Sequence, residues 1–388
     1  MSQFGSVAII DPVGVKAGMD HYDILLAKGL LAAGTSVILY SNFEKENQGI
    51  KIRRVFFNTG VAKWKAISSN FFGHLKAFRE CKKNNIPWII VHVFRAGVFD
   101  LATFSIARLM GLKLCTIIHD IESLDTFTIS FVRNRVIHRL PHQRVVHNDF
   151  CKDELSKQPG DTGKPIAVIP HVHFRHLFEA YQRDPAALEK LRNNQSIART
   201  LHPSLATAIA KGTPILLFFG QIKKAKGLET FLEAMAQSKS DFITVVAGKV
   251  RDDNWSRYED IITVLNIRNK VIPIIRHIAD EERDFLFAVS RSIILPYTHI
   301  YQSGVLLMAM SFPVAAIASD LLPNQYLIQH QKNGLLFKSG DARELAQQME
   351  AIIHDRDLTD RLRQQGLQDI DALYNPERIG QLFAAILN

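Results

Sequence analysis

Short apolar runs alternate with helical patterns along all 388 residues of the chain. Runs of three to six apolar residues, bounded by Gly, Pro or polar residues, predict buried strands, and their alternation with helical patterns indicates βαβ units and parallel sheets. The predicted strands are Val7–Ile10, Ser36–Tyr40, Trp88–Val93, Leu114–Ile118, Arg144–Val146 and Ala167–Ile169 in the first half, and Ile215–Phe219, Phe242–Ala247, Val271–Ile274, Ser292–Leu295, Val314–Ala318 and Gly334–Phe337 in the second.

The same pattern predicts how the chain is divided. Residues 171–213, between the two sets of strands, are polar and helix-like, and two helices broken around Tyr374-Asn375-Pro376 end the chain. Because 388 residues exceed one ordinary hydrophobic core, we expect two doubly wound α/β domains with a crossing near Pro170–Phe174.

Composition favours a protein of the cytoplasm. Cys81, Cys115 and Cys151 cannot all pair and lack the spacing of metal ligands, which fits a reducing compartment. The N-terminal MSQFGSVAIIDP has neither the basic nor the long apolar region of a signal peptide. Since no apolar stretch approaches the roughly 20 residues that span a bilayer, we expect no transmembrane helix.

The positive charge is concentrated in the first half. Residues 1–174 contain 22 Lys and Arg against 14 Asp and Glu, whereas residues 175–388 contain 25 against 24. This imbalance predicts an anionic partner for the first half.

Residues 63–83 are the candidate surface for that partner. As a helix they place Ile67, Phe71, Leu75 and Phe78 on one apolar stripe flanked by cations, with no acidic residue before Glu80. The ordinary alternative is a surface helix that packs this stripe on the sheet. We expect the helix instead to bind an anionic membrane surface, and we expect no nucleic acid partner.

A loop with two glycines and three lysines follows the strand Ile215–Phe219. It reads Gly220-Gln221-Ile222-Lys223-Lys224-Ala225-Lys226-Gly227 and leads into a helical pattern from Leu228. Such a loop lets backbone N–H groups and a helix N-terminus approach an anion, with Lys226 as a point charge beside them. The alternative is an ordinary strand–helix turn with solvated lysines.

Three further loops contain small residues where a ligand could approach the backbone. Gly248 and Lys249 follow the strand Phe242–Ala247, and Gln302-Ser303-Gly304 precedes an apolar helix whose N-terminus suits a diphosphate. Gly18 lies in the loop after the first strand, which otherwise could be a plain tight turn. That loop lacks the three glycines of a dinucleotide fingerprint, so redox chemistry with NAD is not expected.

His119 and Asp120 follow the strand Leu114–Ile118 at the end where open α/β sheets bind ligands. A His beside an Asp can hold a sugar hydroxyl or transfer a proton, or the His can simply end the strand. Further polar residues follow two later strands, at His147-Asn148-Asp149 and Pro170-His171-Val172-His173. Their spacings match no zinc motif, so we predict no bound metal.

These elements together resemble the GT-B glycosyltransferases, specifically the family-four, or group 1, enzymes of bacterial polysaccharide synthesis. The resemblance covers nearly the whole chain and is densest in four segments. These are Phe219-Gly220-Gln221 to Lys226-Gly227-Leu228, Ala247-Gly248-Lys249, Leu295-Pro296-Tyr297 to Gln302-Ser303-Gly304, and Asn333-Gly334-Leu335-Leu336-Phe337.

The resemblance implies a fold and a division of labour. Residues 1–172 would form an acceptor-binding Rossmann-like domain, completed by a C-terminal helix, 373–388, that crosses back to it. Residues 173–372 would form the nucleotide-sugar domain, and the two doubly wound domains would face a cleft.

The implied site draws on both domains. Lys226 would contact the donor diphosphate, Ser303 and Gly304 would cradle it, and Gly18 would approach it from across the cleft. His119 would touch the transferred sugar, with Asp120 as the second catalytic candidate. The remaining donor-binding candidates are Gly220, Gly248, Lys249, Tyr297 and Gln302.

The implied activity is a metal-independent hexosyltransferase that uses a nucleotide diphosphate sugar as substrate, with no cofactor. It would act on a saccharide acceptor, lipid-linked, at the inner face of the cell membrane, with retention favoured over inversion.

The chain departs from the family pattern at three positions. Gln221 stands where many relatives carry Arg, and Ile300 and Met308 stand where many carry glutamates. Two alternatives therefore remain open. One is a nucleotide-sugar epimerase of the same architecture, for which Asp120 and Glu122 are the candidate carboxylates, and the other is a non-catalytic, sugar-binding GT-B subunit.

Overall fold

The computed structural model describes residues 4–15, 18–44, 49–119, 121, 130–251 and 253–387. The chain divides into two compact units, one of Met1–Val172 with Leu373–Asn388 and one of His173–Ala372. Each unit is built around its own sheet.

The sheet of the first unit is parallel, and over the described residues it has seven strands in the order β3-β2-β1-β4-β5-β6-β7. The order reverses between β1 and β4, which is where open sheets of this kind bind ligands beyond their carboxyl ends. The strands are β1 Phe4–Ile10, β2 Thr35–Ser41, β3 Lys51–Arg54, β4 Trp88–Val93, β5 Lys113–Ile118, β6 Gln143–Val146 and β7 Ile166–Val168.

The sheet of the second unit is also parallel and repeats the same arrangement. Its described strands follow the order β10-β9-β8-β11-β12-β13, so the reversal falls between β8 and β11. The strands are β8 Ile215–Phe219, β9 Ile243–Ala247, β10 Val271–Ile274, β11 Ser292–Leu295, β12 Ala315–Ser319 and β13 Leu335–Phe337.

Helices connect the strands and cover the sheets. The described α-helices are α1 Met19–Ala32, α2 Lys63–Lys83, α3 Val98–Leu109, α4 Ser130–Arg133, α5 Asp149–Ser156, α6 Glu179–Arg183, α7 Pro185–Arg192, α8 Gln195–Leu201, α9 Pro203–Ala210, α10 Leu228–Gln237, α11 Trp255–Val264, α12 Asp280–Val289, α13 Gly304–Ser311, α14 Leu322–Gln325, α15 Ala342–His354, α16 Arg356–Leu373 and α17 Pro376–Leu387. A π-helix, Asn134–Arg139, continues α4.

The last helix packs on the first one, within the first unit. A Cβ atom at Gly29 of α1 would lie 1.9 Å from the carbonyl oxygen of Pro376, and one at Gly380 of α17 would lie 2.0 Å from the backbone of Gly29. Only glycine lets the two backbones approach so closely. Phe383 and Ile379 then bury their side chains in the core of this unit.

The pattern that predicts each element also fills each core. In the second unit the strand residues Leu216 and Phe218 are buried together with Leu228, Phe231 and Met235 of α10. Helical spacing places those three side chains on the face of α10 that covers the sheet. Burial of this face holds α10 on the sheet and so fixes where the preceding loop lies.

Two features differ from the sequence prediction. Strand β3 was not predicted, because Lys51-Ile52-Arg53-Arg54 is an exposed edge strand without an apolar run. In α2 the predicted stripe is exposed at one end and buried at the other, since Ile67 is 54% exposed whereas Phe78 is 1% exposed. The buried face of α2 consists instead of Gly73, His74, Ala77, Phe78 and Cys81.

The helices also bear on the membrane question. Of the helices described, none combines the length and the apolar character needed to cross a bilayer.

Candidate active site

The glycine–lysine loop lies at the carboxyl end of β8, beside the reversal of strand order in the second sheet. The loop continues the strand pairing, because Gly220 N–H donates to the carbonyl of Ala247 at 3.0 Å and Ile222 N–H donates to that of Lys249 at 3.0 Å. The predicted residues Gly220, Gly248 and Lys249 are thereby neighbours at one edge of the sheet.

Glycine is required at two of these positions. Gly248 has a φ of 151°, and a Cβ atom there would lie 1.7 Å from the carbonyl oxygen of Gly220. Gly227 has a φ of 66°, and its Cβ atom would lie 1.8 Å from the carbonyl oxygen of Pro296. Both positions therefore combine a positive φ with a close backbone contact, which only glycine allows.

Lys226 is held against a buried aromatic ring. Its Nζ atom lies 3.7 Å from the centroid of the Tyr297 ring, and Tyr297 is 1% exposed. Thr298 N–H donates to the carbonyl of Ala225 at 3.0 Å, which ties the lysine loop to the segment after β11. The cation–π contact places the ammonium group at the reversal point instead of leaving it to move in solvent.

Helix α13 begins beside the same loop. Ser303 caps it, and its Oγ accepts the N–H of Leu306 at 3.1 Å. A Cβ atom at Gly220 would lie 3.4 Å from Val305 Cγ2, so the first turn of α13 contacts the loop. The first turn of a helix carries N–H groups without acceptors in the helix and the positive end of its dipole.

The second unit thus brings most of the predicted donor residues together. Gly220, Lys226, Gly248 and Tyr297 lie around the start of α13 with Ser303 and Gly304, while Gln302 is half-buried and the side chain of Lys249 is exposed. The ammonium group of Lys226, the N-terminus of α13 and the backbone at the glycines together can bind phosphate oxygens.

In the first unit, Gly18 begins α1 in the left-handed conformation, with a φ of 75°. The loop before it is organised by Asp11, whose two carboxylate oxygens accept the N–H groups of Val13 at 2.8 Å and Gly14 at 2.7 Å. This hydrogen bonding folds the chain back at the end of β1, next to the first sheet's reversal point.

His119 is buried at the end of β5 and is not charged. Its ring stacks on that of Phe94 with centroids 4.4 Å apart, and its Nε2 lies 2.8 Å from Nδ1 of His92. Burial, and then the neighbouring imidazoles, hold the pKa of His119 well below its usual range. As a neutral imidazole the ring can donate a hydrogen bond from one nitrogen and accept one at the other.

Two carboxylates were also predicted to act in this region. Asp120, proposed as a catalytic residue, and Glu122, needed by the epimerase alternative, lie outside the described residues. Across the segments that are described, no three His, Cys, Asp or Glu side chains converge in a way that could hold a metal ion.

Sequence reasoning missed four buried residues behind His119, namely Asp11, Tyr22, Asp23 and His92. Asp23 Oδ1 lies 2.8 Å from Nε2 of His92, and both side chains are at most 1% exposed. Burial raises the pKa of both Asp11 and Asp23, and for Asp11 the charge of Asp23 adds to the effect. The signal in the sequence was a single polar residue inside an apolar run, such as His92 in Trp88-Ile89-Ile90-Val91-His92-Val93.

Comparison with known proteins finds a match to a family model within the second unit. Residues 205–369 match the model of the glycosyl transferases group 1. The lipopolysaccharide core biosynthesis glycosyltransferase LpsE of Rhizobium meliloti (strain 1021) is 25% identical over 176 residues, which are 45% of this chain and 49% of LpsE. The chain therefore matches about half the length of this curated relative.

Solved structures resemble the whole chain. Sucrose-phosphate synthase of Thermosynechococcus elongatus has a TM-score of 0.71 and 18% identity, with 99% of this chain and 98% of that one covered. Alr3699/HepE of Anabaena, solved in complex with UDP and glucose, has a TM-score of 0.71 and 17% identity, with 98% and 99% covered. The fold is GT-B, and the resemblance to the group 1 glycosyltransferases is confirmed.

Proposed function

We propose that this chain, whose residues 205–369 match the group 1 glycosyl transferases, transfers a hexosyl group from a nucleoside diphosphate sugar to a saccharide acceptor. The observation that carries the proposal is the placement of Lys226, two obligatory glycines and the start of α13 around the reversal point of the second sheet. LpsE is named for lipopolysaccharide core biosynthesis, which favours a role in surface polysaccharide synthesis.

The chemistry that we propose needs no metal ion. The bond between the sugar and the diphosphate breaks, and the negative charge that develops on the diphosphate must be stabilised by groups already in place. Lys226 and the N-terminus of α13 would supply this stabilisation, with the backbone at Gly220 close enough to bind a phosphate oxygen. Gly18 and His119 would contribute from the first unit, His119 by contacting a hydroxyl of the transferred sugar.

Retention of the anomeric configuration is the outcome we propose, because the enzymes that this chain resembles usually retain it. The positions of the usual glutamates are Ile300, which is 8% exposed, and Met308, which is half-buried in α13. Neither can supply a carboxylate, so any carboxylate beside the sugar would have to come from elsewhere in the chain. These two positions are also the support for a non-catalytic, sugar-binding subunit.

A screen of nucleotide sugars tests the proposal. HepE was solved with UDP and glucose, which makes UDP-hexoses the first donors to try, followed by GDP- and ADP-hexoses. Release of the nucleoside diphosphate, with sugar transferred to a saccharide or slowly to water, supports a transferase. An epimerised donor indicates the epimerase, and binding without turnover indicates the non-catalytic subunit. The configuration of the transferred sugar, read by NMR, decides retention.

The acceptor that we propose is lipid-linked, with the protein in the cytoplasm and attached to the inner face of the membrane through residues 63–83. Along α2, Trp64 is 68% exposed and Phe72 is 66% exposed, and the cations Lys65, Lys76 and Arg79 are exposed on the same side of the helix. Exposed aromatic side chains among cations are typical of helices that lie in a membrane interface. An enzyme whose acceptor is anchored in lipid gains from being held at that surface.

A further inference from the structure

Four histidines form a row across the carboxyl end of the first sheet. His92 belongs to β4, and His119, His147 and His171 follow β5, β6 and β7. Because these strands are neighbours, successive rings lie close, with centroids 5.1, 5.3 and 5.3 Å apart. Tyr22 of α1 packs edge-on against all four rings, with centroid distances between 4.6 and 6.0 Å.

The rings of His147 and His171 are fixed by backbone carbonyl groups. Nδ1 of His147 lies 2.9 Å from the carbonyl oxygen of Ile169, and Nδ1 of His171 lies 2.6 Å from that of Val172. A carbonyl oxygen can only accept, so each ring carries a proton on Nδ1. Burial lowers the pKa of His147 to about 3 and that of His171 to about 4, so at neutral pH both are neutral Nδ1–H tautomers.

The rings of His92 and His119 are fixed by a carboxyl group. Asp23 Oδ1 lies 2.8 Å from His92 Nε2, and His92 Nδ1 lies 2.8 Å from His119 Nε2. Burial lowers the pKa of His92 to about 4, so this ring carries a single proton at neutral pH. When ionised Asp23 accepts a hydrogen bond from His92 Nε2–H, His92 Nδ1 has only a lone pair, and the proton between the two rings must belong to His119 Nε2.

We propose that Asp23 and His92 are positioning residues that decide which ring nitrogen of His119 carries the proton. With Asp23 ionised, His119 is the Nε2–H tautomer and its Nδ1 is an acceptor. A proton on Asp23 Oδ1 reverses both hydrogen bonds in the chain, and His119 then carries its proton on Nδ1. The protonation state of Asp23, which contacts His119 through His92, thus decides which nitrogen of His119 donates a hydrogen bond and which accepts one.

The groups that face Asp23 all belong to this cluster. They are Asp11 at the end of β1, Asp20 and Tyr22 on α1 itself, and His92 on β4. Burial keeps Tyr22 protonated and His92 neutral near neutral pH, whereas it raises the pKa of Asp11 to about 7 and that of Asp23 to about 8, so these two carboxyl groups titrate there. The effect of the tautomer on sugar contact rests on the proposed function, whereas the assignment of the tautomer itself does not.

Nuclear magnetic resonance of the full chain, labelled with ¹⁵N in histidine, reads the tautomers directly. Long-range ¹H–¹⁵N correlations separate protonated from unprotonated ring nitrogens, and replacement of one histidine at a time assigns them. At pH 9 we expect Nε2–H for His119 and Nδ1–H for His147 and His171, and at pH 6 a shift of His119 toward Nδ1–H. An Nδ1–H form of His119 at pH 9 would overturn the proposal.

Two variants test the chain of contacts. His92→Gln keeps a polar atom near Asp23 but leaves His119 Nε2 without its partner, so His119 should become a mixture of tautomers. In Asp23→Asn the tautomer of His119 should no longer change between pH 6 and pH 9. His147 and His171 in the same spectra report that the fold is intact. His142→Gln is the matched control, because His142 lies beside Leu114 near the start of β5, at the opposite end of the strand from His119. A single, unchanged Nε2–H form in His92→Gln, or a pH change that persists in Asp23→Asn, would contradict the assignment.

Kinetics then separate this inference from the proposed function. We expect His92→Gln to lower turnover about three- to tenfold, the worth of one well-placed hydrogen bond, with the affinity for the nucleoside diphosphate unchanged. An altered tautomer with unaltered turnover would mean that His119 does not contact the sugar, and that part of the proposed function would be wrong. The tautomer assignment would stand in that case.

Discussion

Lys226 combines a fixed position with a compact charge. The ring of Tyr297 lies under its ammonium group at 3.7 Å and is itself buried, so the lysine loses less freedom when it binds an anion than a solvated side chain would. A charge-assisted contact to phosphate contributes about 1.5–3 kcal/mol. We therefore expect Lys226→Ala to lower kcat/KM for the donor about ten- to a hundredfold, measured by steady-state kinetics.

Two controls sharpen this prediction. Lys226→Arg should recover only part of the loss, because a planar fork does not replace a compact ammonium over the same ring. Lys211→Ala removes an exposed lysine near the opposite end of β8 and should leave the kinetics unchanged. Equal kinetics for Lys226→Ala and the parent chain, with both folded by circular dichroism, would remove the loop from the site.

Gly227 allows a second test at the scale of one residue. Gly227→Ala adds a Cβ atom 1.8 Å from the carbonyl oxygen of Pro296, and its φ of 66° is strained for alanine. Gly212 has nearly the same φ, 67°, with nothing within 4 Å of its Cβ position. Gly212→Ala should therefore cost only the backbone strain of about 1–2 kcal/mol, whereas Gly227→Ala should cost about 1–3 kcal/mol more.

Urea unfolding measures both costs, and nucleotide binding shows what the clash does to the site. Because the backbone at Gly227 must move away from Pro296, Lys226 should leave the Tyr297 ring and donor affinity should fall in this variant alone. Similar stability and similar binding for the two alanine variants would mean that the close approach of Gly227 and Pro296 is not needed.

At the scale of elements, strands were more predictable than the site that they carry. Trp88–Val93, Val271–Ile274 and Ser292–Leu295 were predicted with their observed bounds, because a short apolar run between polar residues has few alternatives in a parallel sheet. Strand β3 escaped because its Lys and Arg side chains face solvent at an edge.

The residues behind His119 escaped for a different reason. Asp23 precedes His92 by 69 positions and His92 precedes His119 by 27, so only the packing of α1 on the sheet brings them together. The polar residues that end strands could be read one at a time, since parallel strands place them at a common edge. Which of them touch depends on tertiary contacts that no local pattern records.

Helix α2 carries the prediction about membranes. Its exposed Trp64, Phe72, Lys76 and Arg79 combine apolar and cationic surface, and each cation near an anionic bilayer contributes about 1 kcal/mol. We expect cosedimentation with anionic but not with neutral vesicles, weakened by salt. Reversal of Lys76, Lys82 and Lys83 to Glu should weaken binding roughly a hundredfold or more.

The aromatic contribution needs its own control. Trp64→Ser with Phe72→Ser should weaken binding to anionic vesicles, whereas Leu109→Ser should not, although Leu109 is 87% exposed in the same unit. Equal binding to neutral vesicles, or an equal effect of Leu109→Ser, would mean that general apolar exposure and not α2 is responsible.

At the scale of the whole molecule, both sheets follow the same strand order but are equipped differently at their reversal points. The second sheet presents glycines and a lysine there, whereas the first presents buried titratable groups. Stability of the first unit should therefore depend on pH. Burial lowers the pKa of His74, His92 and His171 to about 4, that of His147 to about 3 and that of His119 further still.

The sign of the dependence follows from proton binding. Between pH 4 and 6.5 the unfolded chain protonates these five histidines and the folded chain does not, so their contribution makes the unfolding free energy rise with pH. Asp11 and Asp23 act oppositely, because burial raises their pKa to about 7 and about 8, and the folded state binds the extra protons. Below pH 6.5 the contribution of the histidines outweighs that of the two carboxyl groups, and above it the contribution of the carboxyl groups is the larger. Stability of this unit should be greatest near pH 6.5.

Tryptophan fluorescence can follow this unit alone. Trp64 and Trp88 lie in the first unit and Trp255 in the second, so urea unfolding of a Trp255→Phe chain reports on the first unit. We expect a higher midpoint at pH 6.5 than at pH 4.5 or pH 8.5, and a smaller fall from pH 6.5 to 8.5 once Asp23→Asn removes one of the two carboxyl groups. A midpoint that is flat between pH 4.5 and 6.5 would contradict the neutral state of the buried histidines. A midpoint that keeps rising to pH 8.5 would contradict the raised pKa values of Asp11 and Asp23. It would also contradict the protonation change of Asp23 that sets the tautomer of His119.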